Sequence, residues 1–181
     1  MPVLNPRILV IGYGNPGRCD DGLGPALAAE LEHLALPNVT IDADYQLTVE
    51  HAAAAAEHDV VIFADAAVDG PEPFRFTRIE SSSELSFSTH SVEPPEVLGL
   101  AQSLFGTCPA GFVLGMRGYT FNEFGEELSA AARANLAAAV EFLRHILQEG
   151  DGGVLGIDPA DAASLGTAVS LGDTTCKLAS T

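Results

Sequence analysis

Short apolar runs alternate along this chain with longer segments in which apolar residues recur every three or four positions. Residues 7–11 and 59–64 are branched and nearly all apolar, which is typical of strands covered on both faces of a parallel sheet. Residues 39–46 and 74–80 alternate apolar and polar positions, as half-exposed strands do. Residues 111–118 supply a fifth predicted strand.

Between these predicted strands, apolar residues recur every three or four positions, as they do in helices. We predict helices over 24–36, over about 49–57 with Thr48 as N-cap, and over about 94–105. The longest predicted helix runs from about 123 to 148. Helices of this length between strands imply right-handed crossovers, and hence a three-layer α/β/α fold with a mostly parallel, twisted central sheet. Its ligand site is expected at the carboxyl ends of the strands.

The domain organisation follows from a change in composition near residue 150. Residues 1–150 are expected to form a single domain. Residues 151–181 are rich in Gly, Asp, Ser and Thr with only scattered apolar positions, so we predict a weakly ordered C-terminal tail.

Charge and cysteine content narrow the range of partners and compartments. The 181 residues carry 25 acidic and 8 basic side chains, a formal net charge of −17, which disfavours nucleic acid and an anionic membrane surface as partners. No run approaches the roughly 20 apolar residues needed to span a bilayer. Cys19, Cys108 and Cys176 form no C-x-x-C pattern, so neither a disulfide framework nor a structural zinc site is indicated, and a cytoplasmic location is expected.

The turn after the first strand contains G-x-G-x-x-G at Gly12, Gly14 and Gly17, which raises dinucleotide binding as one interpretation. Against it, the next helix begins later than in that motif, and Asp20 and Asp21 would repel a phosphate. A second interpretation is that the two aspartates only cap the helix.

Two further residues are candidates for chemistry. Asp65 follows a buried strand, where a charge is unfavourable unless it is paired or metal-bound, and it can meet Asp21 if the two strands are neighbours. The alternative is an Asx-type turn that ends the strand. His90 stands in a polar link rather than on an apolar helix face. The other histidines are interpreted as solvated or packing residues: His33, His51, His58 and His145.

Two carboxylates and one imidazole would make a half-open divalent-metal site. Such oxygen and nitrogen donors suit zinc, nickel, manganese or iron and leave positions for water or substrate. The reaction class would be metal-assisted hydrolysis. The sequence has no H-E-x-x-H, G-x-S-x-G or P-loop motif that would indicate a better-known chemistry.

Three segments in this order resemble the nickel-iron hydrogenase maturation proteases: ILVIGYGNPGRCDDGLGPALAAEL, VVIFADAAVDG and THSVEPPEVLGLAQ. The later GEELSAAARANLAAAVEFL is similar to the final-helix region of that family. The resemblance covers residues 7–147, and residues 16–18 depart from the apolar residues of some relatives, which leaves the hydrogenase type open.

The resemblance implies an endopeptidase that removes the C-terminal extension of a hydrogenase large-subunit precursor after nickel insertion. Asp21, Asp65 and His90 match the family's metal-binding and catalytic positions, with Asn15 and Asp20 as supporting residues. The cofactor would be nickel carried by the precursor and held there by its cysteines, with zinc or cadmium able to substitute in vitro. A monomer or weak dimer is expected. The alternatives are a non-catalytic nickel-sensing chaperone and a dinucleotide-binding protein of similar fold.

Overall fold

The computed structural model describes residues 5–82 and 92–148, together with the backbone of residues 168 and 169. The strands are β1 (Ile8–Tyr13), β2 (Val39–Asp44), β3 (Val60–Ala67), β4 (Phe74–Ile79), β5 (Ala110–Arg117) and β6 (Ala168–Val169). The helices are α1 (Leu23–His33), α2 (His51–Ala56), α3 (Pro94–Phe105) and α4 (Ala130–Gln148), and a 3₁₀ turn (Cys19–Gly22) precedes α1.

These strands form one sheet in the order β2-β1-β3-β5-β4-β6. β2, β1, β3 and β5 run parallel, whereas β4 is antiparallel to β5. Gly12 near the end of β1 lies opposite Ala43 of β2 on one side and Ala64 of β3 on the other. The predicted α/β class with a mostly parallel sheet is confirmed, and the carboxyl ends of β1 and β3 meet at one edge.

Side chains of β1 and β3 alternate between two apolar layers, which explains why both strands are apolar at nearly every position. Val10 and Ile62 belong to the layer that includes the inner faces of α1 and α4. Ile11 and Phe63 belong to the opposite layer, with residues of α2 and α3. Both faces of the sheet are therefore covered by helices, as in a three-layer domain.

Several predicted boundaries differ from those observed. α4 begins at Ala130 rather than near residue 123, because residues 118–129 form a loop that is hydrogen-bonded to the turn after β1. The Ser129 hydroxyl then caps α4 by accepting a hydrogen bond from the Ala132 N–H at 3.2 Å. The N-cap of α2 is Glu50 and not Thr48, whose carbonyl instead accepts the His51 N–H.

The tail prediction falls mostly outside the described residues. Within residues 151–181 only the backbone of β6 is described, and it pairs parallel with β4 at Arg75 and Phe76. The boundary at residue 150 stays a prediction. No helix in the described part of the chain has the length and apolar character needed to cross a membrane.

Candidate active site at the carboxyl edge of the sheet

The turn between β1 and α1 brings Asp21 to the carboxyl edge. Gly14 has φ 138°, and a Cβ there would lie 2.1 Å from the Asp21 carbonyl oxygen, so only glycine fits. Asn15 holds the turn: its side-chain oxygen accepts the Gly17 N–H at 2.8 Å, and its own N–H donates to the Asp21 carboxylate at 3.3 Å. Asn15 thus supports the site by holding the turn that carries Asp21.

Glycines at the end of β1 and the start of α1 allow the backbones of these two elements to pack directly against each other. A Cβ on Gly12 would lie 2.1 Å from the Gly24 carbonyl oxygen, and one on Gly24 would lie 2.2 Å from the Tyr13 carbonyl oxygen. The start of α1 therefore rests directly on the end of β1. This close packing accounts for Gly12 and Gly14 without a bound phosphate.

Asp20 has a structural role that the sequence did not reveal. It is fully buried and accepts hydrogen bonds from the backbone N–H groups of Tyr119, Thr120 and Ser129 at 2.8, 3.0 and 2.7 Å, and from the Ser129 hydroxyl. Burial alone would raise the pKa of Asp20, but these hydrogen bonds outweigh it and lower the pKa.

The interpretation of the two aspartates as helix caps is wrong. The N-cap of α1 is Gly22, with no side-chain hydrogen bond to it. Asp20 instead joins the turn to the loop before α4, about 100 residues away in sequence, and Asp21 bonds back to Asn15.

Asp65 lies inside β3. The strand continues to Ala67, which pairs with Arg117 at the end of β5. The interpretation of Asp65 as a turn residue that ends the strand is therefore wrong. Burial and, to a smaller extent, the charges of Asp21 and Glu93 together raise the pKa of Asp65 to about 6. The Ala66 N–H, which donates at 2.7 Å, opposes this shift, as does a hydrogen bond with Tyr13. The charge of Asp21 acts on Asp65, and the pairing of β1 with β3 brings the ends of their two strands to the same edge.

Tyr13 and Glu93 complete this edge, and neither was singled out from the sequence. Burial raises the pKa of Tyr13, and the nearby charges of Asp65 and Glu93 raise it further, so the phenol stays neutral and can donate to Asp65. Glu93 is the N-cap of α3 in a reciprocal capping box with Glu96. The sequence E-P-P-E at residues 93–96 indicates this capping box, but it does not indicate that Glu93 lies near Asp65.

The site is acidic and uncompensated within the described chain. Among residues 5–82 and 92–148, no arginine or histidine forms an ion pair with Asp21, Asp65 or Glu93. Converging carboxylates without a cationic partner are unfavourable in a half-buried site and are relieved by a bound cation. Within the same residues, no group of three or more His, Cys, Asp or Glu side chains is arranged to hold a metal ion.

Three solved structures of hydrogenase maturation proteases are similar to this chain. The nickel-iron hydrogenase maturation protease HycI from Thermococcus kodakarensis KOD1 has a TM-score of 0.63 and 25% identity, covering 79% of this chain and 93% of its own. The hydrogenase 2 maturation peptidase from a Thaumarchaeota archaeon has a TM-score of 0.59 and 27% identity, covering 79% and 99%. The E. coli hydrogenase maturating endopeptidase HybD has a TM-score of 0.58 and 25% identity, covering 79% and 93%.

The resemblance to the nickel-iron hydrogenase maturation proteases is confirmed. No protein-family model matches the chain, and no curated protein matches it. The similarity to these maturation proteases therefore comes from the fold and from limited sequence identity over about four-fifths of the chain.

His90, the third residue carried over from the maturation proteases, lies outside the described residues. Two of the other histidines have local partners: the Nδ1 of His33 bonds the Ala29 carbonyl, and His58 bonds the Ala54 carbonyl. His51 is buried at the start of α2, where its Nδ1 accepts the Thr48 N–H at 2.9 Å. His33 and His58 have the surface or packing roles expected of them, whereas the Nε2 of His51 also lies 3.8 Å from a carboxylate oxygen of Asp42 and of Asp44.

The raised pKa of Asp65 predicts that this carboxylate destabilises the metal-free protein. A carboxyl whose pKa is higher in the folded state destabilises the fold progressively as pH rises from the unfolded value near 4, and the effect is complete above the folded value. Asp65→Asn keeps an acceptor for the Ala66 N–H. We expect the variant to be more stable than the parent by about 2 kcal/mol at pH 8, with the difference vanishing toward pH 4, in urea unfolding.

Asp59→Asn is the matched control for this stability measurement. The Arg7 side chain and backbone donate to Asp59 and lower its pKa, so its removal should destabilise the protein slightly at pH 8. A gain in stability for Asp65→Asn that is the same at pH 8 and pH 4 would contradict the electrostatic origin.

Proposed function

We propose that this protein is an endopeptidase that removes the C-terminal extension of a nickel-iron hydrogenase large-subunit precursor after nickel insertion. The observation that carries the proposal is the convergence of Asp21 and Asp65, without a cationic partner among the described residues, in a fold shared with hydrogenase maturation proteases. A hydrolase role is supported by these neighbours. Nickel recognition is the finer part of the proposal.

Asp21 and Asp65 would contact nickel that the precursor carries, so the metal belongs to the substrate. At pH 7 the Asp65 carboxyl, with a pKa of about 6, is mostly ionised, and both carboxylates can act as ligands. The incoming cation would relieve the repulsion between Asp21, Asp65 and Glu93. A precursor without nickel would leave that repulsion in place, which would make cleavage selective for loaded substrate.

His90 is proposed as the third ligand from the resemblance and from its position in the sequence. It precedes Val92 by two residues and Glu93 by three. The Val92 N–H donates to the Leu47 carbonyl at 3.4 Å, and Glu93 acts on Asp65. The chain that follows His90 thus returns to the edge that carries the two aspartates. A neutral imidazole there would add a nitrogen donor to two carboxylates.

The reaction would be the addition of water across one peptide bond, which leaves a carboxylate on the mature subunit and a free amine on the released peptide. Bound nickel can polarise the scissile carbonyl, lower the pKa of the attacking water, or fix the substrate in place. In each role Asp21, Asp65 and His90 hold the metal against this edge of the sheet. Tyr13 and the Ala66 N–H orient the Asp65 carboxylate.

Mass spectrometry of a nickel-loaded precursor from the same genome, incubated with this protein, tests the function directly. We expect loss of a C-terminal peptide from the loaded precursor and none from the nickel-free precursor under the same conditions. Equal cleavage of both would reject nickel recognition. Binding of the loaded precursor without cleavage would reject the endopeptidase and favour a nickel-sensing chaperone.

A further inference from the structure

The loop between β5 and α4, residues 118–129, is fastened to the turn that carries Asp21. The Cys19 N–H donates to the Gly125 carbonyl at 2.7 Å, and the Gly125 N–H donates to the Gly17 carbonyl at 3.0 Å. The Asp20 N–H donates to the Thr120 carbonyl at 3.0 Å, in addition to the hydrogen bonds that the Asp20 carboxylate accepts from this loop. The loop is therefore a fixed extension of the candidate site.

This β5–α4 loop presents one aromatic side chain almost entirely to solvent. Phe124 is 95% exposed, whereas Phe121 on the same loop is half-buried and packs against Gly118. Single exposed apolar residues are common, but this ring stands on a backbone that is hydrogen-bonded on both sides of it. A partner that buries the ring would therefore not have to order the loop first, which favours binding.

Acidic side chains flank the ring. Glu123, Glu126 and Glu127 are exposed, and none of them forms an ion pair with another described residue. An aromatic anchor with a polar, charged rim is the usual arrangement of a protein-binding hot spot. The chemistry of this rim matches a partner with an apolar pocket bordered by lysine or arginine.

We propose that Phe124 and the glutamates Glu123, Glu126 and Glu127 form a docking surface for the folded body of the metal-loaded precursor. This inference rests on the proposed function, because it assigns a second contact to the same substrate. A protein seated on this loop lies beside the turn that carries Asp21, so docking and nickel contact reinforce each other. A second copy of this chain is disfavoured, because it would bring like-charged rims together on a protein of net charge −17.

Steady-state cleavage of the loaded precursor by Phe124→Ala tests the anchor. We expect KM to rise about 10-fold with kcat changed less than about twofold, because the ring contributes to substrate binding and is not part of the chemistry. Phe105→Ala is the matched control: that ring is 51% exposed at the end of α3, at the opposite edge of the sheet, and should change neither constant.

The charged rim is tested by its salt dependence. We expect the KM of the parent protein to rise with ionic strength, and replacing Glu123, Glu126 and Glu127 together with glutamine should flatten that rise. An unchanged salt dependence would show that the three glutamates do not belong to the docking surface.

Three outcomes would overturn the inference. The first is equal KM for Phe124→Ala and Phe105→Ala. The second is a parent dimer in sedimentation that Phe124→Ala dissolves, which would assign the ring to self-association. The third is a protein that neither cleaves nor binds the loaded precursor. If the protein binds without cleaving, the proposed function fails separately, and a loss of binding in Phe124→Ala would still support the docking surface.

Discussion

Asp21→Asn and Asp65→Asn, tested singly, should each lower cleavage of the nickel-loaded precursor by about 100-fold or more. An amide is a poor ligand for a divalent cation and carries no charge to offset that of the metal. His90→Ala should cause a loss of similar size, because it removes the nitrogen donor. The measurement is the initial rate of peptide release at saturating precursor, with folding of each variant checked by circular dichroism.

Asp69→Asn is the control for these ligand variants. Asp69 is an exposed acid in the connection from β3 to β4 at the same edge, so its substitution changes net charge by the same amount. We expect it to retain most of the activity. If Asp69→Asn were as inactive as Asp65→Asn, the loss would reflect the overall charge of the edge rather than two specific ligands.

The core of the fold could be predicted from the sequence because local pattern and tertiary packing agree there. β1 and β3 are apolar at almost every position, and both faces of each are buried. The bounds of α3 also agree with prediction, because Pro94 and Pro95 fix its first turn and Gly106, in the left-handed region at φ 69°, ends it. In these elements each signal lies within the segment that it defines.

The start of α4 could not be predicted because its cause lies elsewhere in the chain. The amphipathic pattern extends back through Leu128, so spacing alone continues the helix. In the structure the backbone of Tyr119, Thr120 and Ser129 bonds to Asp20 instead. Such long-range competition for backbone donors leaves no local signature.

The candidate site could also be predicted from the sequence only in part. The approach of Asp21 to Asp65 is expected from one topological step, the adjacency of two parallel strands. In the structure β1 and β3 are paired, and the charge of Asp21 acts on Asp65. The approach of Glu93 depends on how α3 packs against the sheet, which periodicity does not specify. Tyr13 stands next to the glycines in sequence, but its effect on Asp65 appears only once β1 and β3 are paired.

Asp20→Asn is expected to destabilise the protein strongly. Its Oδ2 accepts the Tyr119 and Thr120 N–H groups and the Ser129 hydroxyl, and its Oδ1 accepts the Ser129 N–H. In Asp20→Asn the amide nitrogen would replace one of these oxygens in either orientation, so at least one buried N–H would lose its acceptor and the remaining hydrogen bonds would lose the negative charge. We expect Asp20→Asn to be less stable by about 3 kcal/mol in urea unfolding at pH 7. That is a large part of the 5 to 15 kcal/mol typical of a whole domain.

The pH dependence and a graded control separate this effect from that of Asp65. Because the pKa of Asp20 is lowered in the folded state, its stabilisation is fully present above the unfolded pKa near 4 and is lost only at lower pH, so the deficit should be constant from pH 5 to 8. Ser129→Ala should destabilise by about 1 kcal/mol, since it removes only the hydroxyl contacts. A deficit for Asp20→Asn no larger than that of Ser129→Ala would mean that the loop keeps its place without the carboxylate, and that Asp20 does not anchor the turn beside Asp21.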